Sequence, residues 1–129
     1  MTELVLDGRC ISCYADFVTE LNRAYCGIHG GPEWSGQDFN ELDDFLGHAA
    51  PVTLRWIHSE VSRKNLGYHA MTEWWKASLS RSMKNFPTHE FMHEWCNQGI
   101  DESESNQGRT LFDYICWQIE QPGCKILLE

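Results

Sequence analysis

The chain predicts an α/β domain built on a parallel sheet. Apolar, β-branched runs alternate along it with segments of helical periodicity, the pattern of strands joined by crossover helices. Its 129 residues make one domain, residues 1–129, large enough to bury a core unaided. Six tryptophans and 42% hydrophobic content are those of an ordinary globular protein.

Taken in order, Leu4 to Ile11 is apolar or alternating and predicts a strand, with Asp7-Gly8 as a turn. Tyr14 to Tyr25 carries Phe17, Val18, Leu21 and Tyr25 at helical spacing, and Gly27 to Gly31, with three glycines in five residues, predicts a loop. Ser35 followed three residues later by Asp38 fits a capping box at the start of the next helix. On a 3.6-residue period Phe39, Leu42 and Leu46 then share one stripe with Phe45 at its edge, while Asn40 and Asp44 lie opposite with Asp43 beside them. Val52 to Ile57 predicts the second strand. Ser59 to about Met83 is helical with an interruption at Gly67, and Thr110 to Glu120 is a further helix that Pro122-Gly123 ends before the final strand. Residues 84–109 lie between these last helices, and their tail, Asp101 to Gly108, is polar enough to predict a mobile loop.

Charge singles out the stretch Pro32 to Leu46. No lysine or arginine lies between Arg23 and Arg55, so Glu33, Asp38, Glu41, Asp43 and Asp44 have no local basic partner. An unneutralised cluster of this kind attracts a cationic surface from another molecule. The formal net charge of −9 argues against nucleic acid or an anionic membrane as a direct ligand, since both would be repelled. No apolar run approaches the roughly 18 residues of a membrane span, and the N-terminus lacks a secretion-signal layout, so a cytoplasmic protein is expected. Six cysteines without a signal peptide read as reduced thiols.

The segment Pro32-Glu33-Trp34-Ser35-Gly36, followed by a helix bearing Leu42, Asp44 and Leu46, resembles the inhibitory region of the barstar family of intracellular ribonuclease inhibitors. Leu4 to Gly8 is similar to that family's first strand and turn, Pro51 to Trp56 to its second strand, and Gly123 to Leu128 to its last. The resemblance covers about the first sixty-five residues and the last twenty. It implies a barstar-like fold of three parallel strands packed by helices, here with an insert at about residues 84–109. It also implies an acidic helix that blocks a nuclease, with Asp44 in the phosphate-binding site. The expected partner-binding set is Trp34, Gly36, Asp38, Asn40, Asp43, Asp44, Gly47 and His48. The expected partner is a basic ribonuclease toxin, bound as a heterodimer by a chain that is monomeric when free. No catalysis, metal or cofactor is expected of the chain itself. Four positions depart from the better-known members: Ser35 replaces an aromatic, Asn40 an acid, Asp43 a tryptophan and Gln118 a glutamate. These changes at contact positions imply a different target.

Two motifs compete. His89-Glu90-Phe91-Met92-His93 matches H-E-x-x-H, the helix motif that supplies two zinc ligands and a general base in metalloproteases. The match is short, Cys96 stands where the extended motif has glycine, and a helix start near Thr88 with packing aromatics explains it as well. A zinc-binding protein or metal-dependent hydrolase centred on His89, Glu90 and His93 is the first alternative. An acidic adaptor with a non-nuclease partner is the second. Cys10-Ile11-Ser12-Cys13 has redox-pair spacing, but no second pair completes a zinc site. Trp74-Trp75 reads as core at a helix end. Asp43 and Asp44, adjacent on a helix, point about 100° apart and cannot flank one substrate bond.

Overall fold

A computed structural model describes residues 2–47, 51–121 and 123–129. Three strands, β1 (Thr2–Asp7), β2 (Val52–Ile57) and β3 (Lys125–Leu128), form one parallel sheet in the order β1-β2-β3. Helices α1 (Tyr14–His29) and α2 (Phe39–Gly47) cross from β1 to β2. Helices α3 (Ser59–Asn65), α4 (Tyr68–Asn85), α5 (Glu90–Glu104) and α6 (Leu111–Glu120) lead from β2 to β3. The predicted α/β class with a parallel sheet is therefore present, with three strands and six helices among the described residues.

Strand alternation decides which side of the sheet is dry. Leu4 pairs in register with Leu54 and Leu6 with Trp56, and all four are fully buried on one face. Trp56 stacks on Phe17 of α1 with ring centroids 5.6 Å apart, so the first crossover helix seals that face. On the other face Arg55 reaches Glu3 at 3.6 Å and pairs with Glu129, and Val5 and Leu127 beside it are partly exposed. Those ion pairs are solvent-accessible and contribute little individually.

β1 ends at Asp7 rather than running to Ile11, and Gly8–Cys10 turns as a short 3-10 helix. The cause is a close approach of two backbones: a Cβ on Gly8 would stand 2.2 Å from the His58 carbonyl oxygen. Ser62, fully buried, ties the same corner together by accepting from Trp56 Nε1 at 2.9 Å and donating to the Gly8 carbonyl at 3.1 Å. The loop predicted at Gly27–Gly31 begins later than expected. α1 continues through Gly27 to His29, and Gly30, at φ 68, closes it by donating its N–H to the Cys26 carbonyl.

The insert folds where the sequence predicts a loop. α5 runs to Glu104, so Asp101 to Glu104 are helical, and the connection is confined to residues 105–110. α5 packs along α4 as a hairpin. Gly99 lies so close under Trp75 that a Cβ there would stand 2.2 Å from the indole ring. One turn on, buried Ser103 accepts from Thr72 Oγ1 at 2.7 Å and donates to the Gly99 carbonyl. This buried hydroxyl pair gives the polar tail of α5 a reason to be ordered. Among the described residues no helix is long and apolar enough to cross a membrane.

Candidate functional site

The turn that aims α2 is held from beneath by α1. Asn22, 5% exposed, accepts from the Trp34 N–H through Oδ1 at 2.8 Å and donates to the Trp34 carbonyl through Nδ2 at 2.9 Å. Tyr14 donates its hydroxyl to the Gly36 carbonyl at 2.6 Å. Gly36 sits at φ 83, with Val18 only 2.6 Å from where a Cβ would be, so the backbone must be glycine on both counts. Trp34, expected among the contact residues, is 4% exposed. Its ring packs edge-on to Phe17, and its Nε1 donates to the Asp38 carbonyl at 3.0 Å. It shapes the turn from inside.

Capping also differs from expectation. Asp38 itself caps α2, its Oδ1 accepting from the Asn40 N–H at 2.8 Å, while Ser35 Oγ accepts from Gln37 N and lies 3.4 Å from Glu41 Oε2. Asp38 reaches the second residue of the helix, whereas Ser35 is one turn too early to act on its orphan donors.

The two faces of α2 are as the periodicity predicts. Leu42 and Leu46 are fully buried and Phe39 nearly so, while Asn40, Glu41 and Asp44 are exposed and Asp43 is half-buried. Among the described residues no ion pair reaches Glu33, Asp38, Glu41, Asp43 or Asp44. Asp43 carries an added cost: its Oδ1 is buried without a hydrogen-bond partner among the described residues. Burial, then the charges of Asp44 and Asp38, raise its pKa above the ordinary carboxylate value. Gly47 ends the helix, and His48 lies outside the described residues.

Beside this face is a feature no motif announced. A cleft of about 530 Å³ opens between the start of α2 and the α4–α5 hairpin, with Asp38 and Glu41 on one side and Trp74, Trp75 and Trp95 on the other. The paired tryptophans lie in mid-helix, with Trp75 buried and Trp74 half-buried. Gln118, at one of the departing positions, also lines the cleft and donates to the Tyr114 hydroxyl at 3.1 Å. The signal that could have found it is the tryptophan content of the two helices, Trp74-Trp75 in α4 and Trp95 in α5.

The competing motifs are placed differently. His89 is the N-cap of α5 and uses Nδ1 to accept from the Met92 N–H at 3.2 Å, which occupies that nitrogen structurally. Among the described residues no group of three His, Cys, Asp or Glu side chains could hold a metal ion. Cys10 and Cys13 are exposed at the junction between the 3-10 turn and α1, and all six cysteines are free.

No protein-family model, curated protein or solved structure matches the chain.

Proposed function

We propose that this chain is an inhibitor of a basic ribonuclease toxin, an immunity protein with a barstar-like fold that covers the nuclease active site with α2. The observation that carries the reading is the position of Asp43 and Asp44 near the C-terminal end of a nine-residue helix whose last turn has no basic residue. Carboxylates there oppose the helix dipole, and Asp43 also buries an oxygen that has no donor among the described residues. Local energetics disfavour both residues, and such exceptions belong to functional surfaces. A ribonuclease must present cationic groups to hold RNA phosphates, and a rigid helix carrying Asp44, with Asn40 and Asp43 beside it, can occupy those pockets and exclude substrate. The mechanism is steric and electrostatic, and asks for no catalysis by this chain.

The test is to recover the partner on the immobilised chain from its source cells and assay RNA cleavage. The expected partner is a basic ribonuclease inhibited one to one. Asp44→Ala is expected to weaken binding by about 2–5 kcal/mol, the scale for truncating one member of a desolvated charge pair, with the thermal midpoint not lowered, because Asp44 is exposed and its charge opposes the helix dipole. A non-nuclease partner would favour the adaptor reading, and an affinity indifferent to Asp44→Ala would refute the helix-centred mechanism.

A further inference from the structure

We propose that the cleft between α2 and the α4–α5 hairpin receives a tyrosine side chain of the partner, seated next to the basic residues that α2 engages. This rests on the reading above and adds the anchor to it. The cleft is continuous with the acidic face, since Asp38, Asn40 and Glu41 line it as well as the start of α2. Its opposite wall is aromatic, with Trp75 8% exposed at its base. Trp95 and Phe86, both lining it, are 51% and 55% exposed, a concentration of uncovered apolar surface that marks an interaction site.

Two polar groups decide which side chain fits. Ser82 lines the cleft at 5% exposure, and its Oγ has no hydrogen-bond partner among the described residues. A buried hydroxyl left unpaired is costly, and a phenolic hydroxyl arriving in the cleft would pair it. Arg81 also lines the cleft, held by contacts to the Gln37 carbonyl and Ser78 Oγ. Its fixed positive charge repels a lysine or arginine occupant and favours the negative face of an aromatic ring. Basic partner residues are thereby directed to Asp38 and Glu41 at the edge, and an aromatic one to the interior. A central aromatic anchor ringed by charged contacts is how tight interfaces concentrate their energy.

The experiment titrates the intact chain with p-cresol, toluene and n-propylguanidinium, stand-ins for tyrosine, phenylalanine and arginine side chains, and follows the indole N–H signals by NMR. Saturable shifts at Trp74 and Trp75, with Trp56 unmoved, are expected for p-cresol, weaker ones for toluene and none for n-propylguanidinium. Ser82→Ala is expected to remove the preference of p-cresol over toluene, about three- to tenfold, the worth of one net hydrogen bond. Trp95→Ala is expected to weaken both aromatic probes. Tighter binding of n-propylguanidinium, or no shift with p-cresol, overturns the proposal. The two readings fail separately. If Asp44→Ala abolishes ribonuclease inhibition while p-cresol shifts nothing, only the anchor is lost. If p-cresol fills the cleft and the recovered partner is no ribonuclease, the anchor site stands and the inhibitor reading falls.

Discussion

Asn22→Ala is expected to destabilise the fold by about 2–4 kcal/mol, although Asn22 touches no partner and belongs to no motif. Its side chain satisfies both backbone groups of Trp34, and all of these groups are buried. Each buried group left unpaired costs about 1–3 kcal/mol, and water entering the space left by the truncation recovers part of the sum. Against a total stability of about 5–15 kcal/mol this is a large fraction. In urea, with a slope near 2 kcal/mol/M, the midpoint is expected to fall by about 1–2 M at unchanged slope. Equilibrium denaturation followed by tryptophan fluorescence and far-UV circular dichroism measures it. Asn22→Leu separates hydrogen bonding from packing: it keeps the volume and excludes the water, so its loss is expected to be at least as large. A loss below about 1 kcal/mol in Asn22→Ala, or recovery in Asn22→Leu, would show that the clamp on Trp34 contributes little, since a single net hydrogen bond is already worth that much.

Gly99→Ala is expected to cost about 1–3 kcal/mol, because the added methyl must displace the Trp75 ring; a thermal midpoint unchanged from wild type would show that the α4–α5 hairpin yields freely. Asp43 has a folded-state pKa above its unfolded value, so its penalty is fully present above the folded pKa and absent below the unfolded one. Asp43→Asn is therefore expected to be more stable than wild type at pH 7, with the difference shrinking as pH falls toward 4; a pH-independent difference would assign the effect to packing. Association with the partner is expected to slow as salt rises, since exposed carboxylates are screened beyond about 8 Å at physiological ionic strength. A stopped-flow on-rate insensitive to salt would mean that α2 is not the docking face.

Much of the frame was legible because periodicity is a local property. The alternation in β1, the apolar run Val52–Ile57 and the stripe Phe39, Leu42 and Leu46 each announce their element without knowledge of what lies across from them. The acidic face of α2 was legible for the same reason, as a count of charges along a stretch without bases. The end of the insert is not legible in this way, because Asp101–Glu104 is polar in composition yet helical. Among the contacts that order it is a buried hydroxyl pair, Thr72 with Ser103, formed between residues 31 apart.

The sequence by itself determined the α/β class, the order of the strands and of the helices outside the insert, and the division of α2 into a dry side and an acidic side, because each follows from the spacing of residue types over one or two turns. Only the tertiary structure decided that Trp34 is a buried support, that Asp38 is the cap, and that α5 lies against α4 to open an aromatic cleft beside the acidic face. Those outcomes depend on distance in space: on which carbonyl Asn22 can reach, on whether Val18 leaves room at Gly36, and on Gly99 admitting the Trp75 ring. Side-chain periodicity carries no information about such contacts, because they join residues that the chain keeps far apart until it folds.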